Sequence, residues 1–304
     1  MTLPHSVVCS AEDRPAWLAA RRLGVSGSDV AACLGESRWK SRLSLWLDKT
    51  RGAEEQEDRQ DLEWGHRMEP VLLQWYRDRT GLYARPEQRL LASTEEPLLM
   101  STLDAFTALD SSTGSTMVPL ELKTCSQHKA GEWADGVPHE YVIQLHAQMI
   151  VTGTRAARIA VLIGGQHAGW HHVDRNDALV ARILREVRAF WELVESNTPP
   201  HADGSKDGDE ALGRLYPASD ESTVVLDGEL VDVSRELDET SSQIKALEAR
   251  ERSLVARVKE AMGRAERGVL SDGSGWTWKT QTRAATSSKA STFRVLRRQR
   301  AKEE

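Results

Sequence analysis

The apolar positions of this chain change period several times, and each change marks an element. Trp17, Leu18 and Leu23, set among Arg14, Arg21 and Arg22, predict a first helix over residues 10–22. Gly24-Val-Ser-Gly-Ser-Asp29 is a turn opening into a short helix over 30–34, with Ser28 or Asp29 as its cap. A polar loop around Trp39 leads to a second helix with Leu43, Leu45, Trp46 and Leu47 facing inward. The charged run 51–61 reads as a loop. Met68, Val71, Leu72, Trp75 and Tyr76 then form the stripe of a helix over 63–79, opened by residues 65–70 with Glu69 near its start.

Two strand-like runs follow, 98–109 with Asp104 embedded in it and 117–124, separated by the turn-rich Asp110-Ser-Ser-Thr-Gly-Ser115. This spacing predicts a hairpin. Residues 138–152 return to helical period, with Tyr141, Gln144 and Gln148 on one side and Val142, Leu145, Met149 and Ile150 on the other. A strand pair is expected at 158–164 and 170–174, and a strongly amphipathic helix at 178–195 ends before Pro199-Pro200. Residues 201–222 read as a linker around a short helical piece. In 234–267 the sparse positions Leu237, Ile244, Leu247, Leu254 and Val258 are spaced like one seam of a long helix or coiled coil. A hairpin at 268–283 places Trp276 and Trp278 on one face, and 293–302 is basic.

The 304 residues suffice for one α/β domain, taken as 1–200, and an appendage at 223–304. A hydrophobic share of 39% and a charged share of 28% are those of a soluble globular protein. The net charge of −6 argues against bulk attraction to nucleic acid but leaves room for a local basic groove. Cys9, Cys33 and Cys125 are odd in number and scattered, which suggests a reducing cytoplasm and no disulfide framework. The start lacks the basic and apolar regions of a signal peptide, and no apolar run is long enough to span a bilayer.

The candidate chemistry centres on Glu121-Leu122-Lys123. On a strand, Glu121 and Lys123 project from one face. A carboxylate that holds a divalent cation, beside an ammonium that steadies an attacking water, suits metal-dependent hydrolysis. The same pair also fits a plain ion pair on an exposed sheet. The hairpin changes the comparison by bringing Asp104 toward Glu121, and Asp, turn, Glu-x-Lys is the acidic core of PD-(D/E)XK nucleases. Near the start of the chain, the turn before residue 30 offers free N–H groups and Arg21 lies just upstream, a combination suited to an anion.

In order, Arg21, Gly27-Ser28-Asp29, Ser37-Arg38-Trp39-Lys40, Gly65-His-Arg-Met-Glu69-Pro70, Leu103-Asp104, Glu121-Leu-Lys123 and Gln144 resemble the YqaJ-type viral recombinases, the family of the phage lambda exonuclease. The resemblance covers about residues 10–200. It implies a central mixed β-sheet flanked by helices and Mg²⁺-dependent digestion of the 5′ strand of linear duplex DNA, with Mn²⁺ as a substitute. The 3′ tail would pass to a single-strand annealing protein. Asp104, Glu121 and the Leu122 carbonyl would bind metal, Lys123 would orient water, Glu69 would support the metal and Gln144 would line the site. Arg21 and Ser28 match the family's 5′-phosphate pocket, and a homotrimeric ring is implied by resemblance alone. Two departures stand out. Leu103 replaces the proline before the Asp, and Arg38 and Arg42 stand where prolines often flank Trp39, which suggests a more electrostatic grip on DNA.

Three other readings compete. An iron–sulfur nuclease needs four cluster cysteines, and this chain has three. A restriction-type endonuclease shares the core. An inactive DNA-binding or assembly module has no chemical need for Asp104, Glu121 and Lys123 together. Beyond residue 222, basic residues beside Trp276 and Trp278 suit single-stranded DNA. They equally suit a hairpin packed on the long helix, or a docking surface for the annealing protein.

Overall fold

The alternation around Glu121 becomes β7 (Met117–Cys125), the middle strand of a five-stranded sheet. On one side it pairs antiparallel with β6 (Ala105–Ala108), which pairs antiparallel with β3 (Ala84–Pro86). On the other it runs parallel to β8 (Ala156–Ile163), itself antiparallel to β9 (His167–Asp174). A parallel pair needs a crossover, and helix α5 (His139–Thr152) lies in that connection. The computed structural model describes residues 4–52, 60–220 and 222–282. It divides into two compact units, the first ending at Pro217 and the second beginning at Ala218.

Both faces of this sheet are covered. Leu72, Leu73 and Tyr76 of α4 (Gln60–Thr80) pack on Leu120, Leu122 and Ala160. Leu145 and Met149 of α5 pack on Ala157, Ile159 and Val161 on the other side. Strand β7 is therefore buried on two faces, where its alternation alone implies one. Glu121, only 3% exposed, sits on the α5 face. The far side of α5, with Ile143, Ala147, Ile150 and Val151, enters the main core beside Val25, Leu99 and Leu103. There it meets Ile183, Val187 and Phe190 of α6 (Asp177–Glu195). A helix apolar on most sides is a buried central helix.

A second sheet has the order β1 (His5–Ser10), β4 (Arg89–Ser93), β5 (Leu99–Thr102) and β2 (Val25–Ser26), with β2 parallel to β5. The apolar run at 98–109 is thus not one strand. It breaks at Leu103-Asp104 into β5 and β6, which serve different sheets. Strand β1 takes the residues before Ala11, so the first helix is α1 (Arg14–Arg21). Its start is fixed by Pro15 and by the Asp13 carboxylate accepting from the Ala16 N–H at 3.2 Å. Helix α3 (Arg42–Arg51) is capped by the Ser41 hydroxyl, which accepts from Ser44 N–H at 3.1 Å. Helix α4 already runs from Gln60, so Glu69 is mid-helix and helix-end charge complementation does not explain it.

The polar stretch read as a linker contains α7 (Lys206–Leu215), which is docked on α3. Asp207 accepts from the Ser41 N–H at 2.6 Å, Arg214 donates to the Ser44 hydroxyl at 2.6 Å, and Ala211 is buried. The second unit contains α8 (Glu229–Met262), 34 residues long, and a hairpin of β10 (Arg267–Val269) with β11 (Gly275–Thr277). The Lys259 ammonium lies 5.5 Å from the Trp278 ring, and Trp276 and Trp278 are both about half exposed. The basic segment 293–302 lies outside the described residues. Among the described residues no helix is long and apolar enough to cross a membrane, and Cys9, Cys33 and Cys125 are free thiols.

Candidate active site

Strand β7 sets Glu121 and Lys123 side by side, with the Lys123 ammonium 2.5 Å from Glu121 Oε1. Helix α5 supplies two amides one turn apart. Gln144 Nε2 donates to Glu121 Oε1 at 2.7 Å, and Gln148 Nε2 donates to Oε2 at 2.5 Å. A buried carboxylate without such partners would cost several kcal/mol, so these three donors are what let Glu121 stay on this face. Asp104 arrives from the loop before β6, and its Oδ2 accepts from the Leu122 N–H at 2.7 Å. The bond locks the acid to β7 at the residue between Glu121 and Lys123.

The electrostatics follow from this crowding. Burial pushes the Asp104 carboxyl well above its usual range, and the Glu121 and Glu69 charges push it further, against Lys123. Burial pulls the Lys123 ammonium down, but Glu121 and Asp104 outweigh it, so the lysine is held protonated. The Tyr141 ring lies 5.3 Å from Lys123 Nζ. Glu69, from the middle of α4, is close enough to act on Asp104, and its Oε1 pairs with His66 Nδ1 at 3.0 Å. His66 is thus a partner of Glu69.

Among the described residues no three His, Cys, Asp or Glu side chains form a ready metal cage. The donor set nevertheless fits a divalent cation. It consists of hard oxygens, and the mutual repulsion that raises Asp104 is what such a cation relieves. Glu121 would give up a bond to Gln144 or Lys123 to join it.

A cleft of about 1250 Å³ is lined by Asp104 and Glu69 and, farther along, by Trp17, Arg21, Asp29 and Lys49. Arg21 and Ser28 do come together, with Arg21 Nη2 donating to Ser28 Oγ at 3.1 Å and to Ser26 Oγ at 2.7 Å. The helix behind them is not the expected anion cradle. The helix α2 (Val30–Cys33) is a single turn without a side-chain cap bond. Asp29 is committed to Lys49 Nζ at 2.9 Å, to Ser26 Oγ at 2.7 Å and to Arg21 at 3.4 Å. Burial alone would raise this carboxyl, but Lys49 and Arg21 hold it far below the usual range. Arg21, whose side chain is 23% exposed, offers a cation here, and Arg14, Arg22 and Lys40 line the same cleft.

The loop around Trp39 differs from an open basic grip. Arg38 is held by Glu140 at 2.6 Å and Glu132 at 3.0 Å. Arg42 sits over the Phe190 ring, 3.6 Å from Glu186. Trp39 is 59% exposed, with Lys129 Nζ 4.1 Å from its ring. Sequence reasoning missed Gln148 and Lys49 as site-shaping residues. The four-residue spacing of Gln144 and Gln148 carries the signal for the first, and no pattern marks Lys49 among the apolar residues of α3.

The sequence and the fold have known counterparts. Residues 16–155 match the model of the YqaJ-like viral recombinase domain. The chain is 29% identical over 266 residues to the uncharacterized protein YqaJ of Bacillus subtilis (strain 168), covering 84% of this chain and 81% of that one. Its fold is similar to that of LHK-Exo, an alkaline exonuclease from Laribacter hongkongensis, at a TM-score of 0.50 and 21% identity over 66% of this chain and 98% of the other. A structure of LHK-Exo in complex with dAMP matches at the same TM-score with 23% identity.

The Asp29 cluster makes a stability prediction. A carboxyl depressed in the folded state stabilises above its unfolded value of about 3.9, and that stabilisation is lost as pH falls below it. Lys49→Met removes the ammonium and leaves Asp29 buried with Arg21 as its one directly paired cation and the Ser26 hydroxyl. Urea unfolding at pH 7 should show a loss of about 3–5 kcal/mol, and the variant's stability should fall less steeply below about pH 4. Equal stability of variant and wild type at pH 7 would show that the pair carries nothing.

Proposed function

We propose that this chain is a Mg²⁺-dependent deoxyribonuclease that digests the 5′ strand of linear duplex DNA from its end. The observation that carries the proposal is Asp104 locked to Leu122 N–H beside the Glu121–Lys123 pair. The match to the recombinase-domain model and the fold similar to that of an alkaline exonuclease support the same reading. Asp104, Glu121, the Leu122 carbonyl and, through water, Glu69 would hold the metal, with Mn²⁺ able to take its place. The ion would polarise the phosphodiester and lower the pKa of a bound water.

The chain's own side chains do the rest. Lys123 stays protonated between the acids and donates to the attacking water or to the developing negative charge. Gln144 and Gln148 fix the Glu121 carboxylate so that its oxygens face one direction. Arg21, in the same cleft as Asp104, and its hydrogen-bond partner Ser28 would take a terminal 5′-phosphate and set which bond reaches the acids. Trp39 and Lys129 offer a stacking face and a cation to DNA outside the cleft, while Arg38 and Arg42 would reach DNA only by leaving their acids. Delivery of the 3′ tail to a single-strand annealing protein, and a homotrimeric ring, rest on the family resemblance.

Three variants test the chemistry. Asp104→Ala, Glu121→Ala and Lys123→Ala should each lower the rate on 5′-phosphorylated linear duplex by about 10²–10⁴-fold, with circular dichroism unchanged. Chelator should abolish wild-type activity, and covalently closed plasmid should survive. Cleavage of the closed circle would instead favour an endonuclease, and a folded wild type that cuts neither substrate with Mg²⁺ would favour a binding module. For end recognition, Arg21→Ala should narrow the preference for 5′-phosphate over 5′-hydroxyl ends by about tenfold, the worth of one charge-assisted bond. Equal loss on both ends would make Arg21 a purely structural partner of Asp29.

A further inference from the structure

Helix α8 carries an apolar seam that the other described residues leave open. Leu230, Val233, Leu237, Ile244, Leu247 and Leu254 are each 40–63% exposed, and no residue of the helix is buried. These positions alternate at intervals of three and four, the heptad spacing that winds helices into a left-handed pair. An isolated helix gains most of its stability from a partner along such a face. Polar residues interrupt the seam at Thr240 and Glu251.

The residues flanking the seam determine the partner's direction. The flank preceding each first heptad position reads Glu229, Glu236, Gln243, Arg250, Arg257, acidic at the start and basic at the end. The opposite flank reads Ser234, Ser241, Glu248, Val255. A parallel copy would set the first flank against the second, where no opposite charges meet. An antiparallel copy sets the first flank against itself reversed, so Glu236 meets the partner's Arg257 and Gln243 meets the partner's Arg250. Among the described residues Glu236, Arg250 and Arg257 have no ion pair within the chain.

One antiparallel register also satisfies every layer. Leu237 faces the partner's Leu254, Ile244 faces the partner's Leu247, Val258 faces the partner's Val233, and Leu230 faces the partner's Ala261. In that register Glu251 falls opposite the partner's Thr240, so the two polar interruptions meet each other. A polar residue at one core position is a common means of fixing register. We infer that two copies of this chain pair through α8 as an antiparallel two-helix coiled coil with two-fold symmetry. Such an interface is isologous and closed. It is independent of the nuclease reading and of any ring built from the first unit.

Cysteine cross-linking of the full chain tests the direction. Under mild oxidation, the double variant Leu237→Cys with Leu254→Cys should yield covalent dimers well above the wild-type background set by the native thiols. Each single variant should stay at that background. Self-cross-linking by either single variant would mean a parallel pair, and background levels in all three would mean that the seam is covered otherwise, by the chain itself or by another protein. Both outcomes overturn the inference. As a second measurement, sedimentation should show Glu236→Arg weakening the dimer by about tenfold, since the symmetry repeats each lost pair. Adding Arg257→Glu should restore it, and failure of that rescue would contradict the register.

Discussion

The candidate site depends on one buried carboxylate. Glu121 lies on a strand covered on both faces, where an unpaired charge is costly, and it is tolerated because Gln144, Gln148 and Lys123 all donate to it. That requirement fixes the crossover helix α5 over β7 in one rotation. It also explains why so central and apolar a helix keeps two glutamines on one line. With α5 fixed, the main core can form on its far side against α6, and the second sheet packs there as well. The arrangement needed to bury one acid is therefore the arrangement that joins the two sheets.

The break at Leu103-Asp104 is the second constraint. Leu103 anchors in the main core while Asp104 reaches the Leu122 N–H. Two neighbours in sequence thus belong to different sheets. The cleft opens along this seam between the sheets, which is why Asp104 and Glu69 share it with Trp17 and Arg21 from the other end. Charge is handled differently at the two ends. Around Asp104 the acids crowd one another, with Lys123 as the one opposing charge. Around Asp29 the acid is already neutralised by Lys49 and Arg21.

Much of this was legible in the sequence, and the rest was hidden for physical reasons. The hairpin, the Glu-x-Lys face, the helix carrying Gln144 and the long α8 were readable from period and turn chemistry. Double burial of β7 was not, because alternation records only that neighbouring side chains differ. The split at residue 103 was hidden because both halves are apolar strands, and only tertiary context tells which sheet each joins. Strand β1 was missed beside a stronger helical signal. The short helix within 201–222 was legible, but its dock on α3 was not, because that dock rests on polar bonds from Asp207 and Arg214 as well as on one buried alanine. Lys49 was invisible because a lysine in a helix ordinarily faces water, and its partner Asp29 is distant in sequence.

The central claim is that the Asp104–Glu121 acids form a divalent-cation site. Calorimetric titration of Mn²⁺ into the DNA-free protein measures it without reference to turnover. The wild type should bind the ion, and the isosteric Glu121→Gln variant, which keeps the shape but not the charge, should bind it at least about tenfold more weakly, consistent with loss of a charged oxygen ligand. Undiminished Mn²⁺ affinity in a folded Glu121→Gln protein would contradict the account.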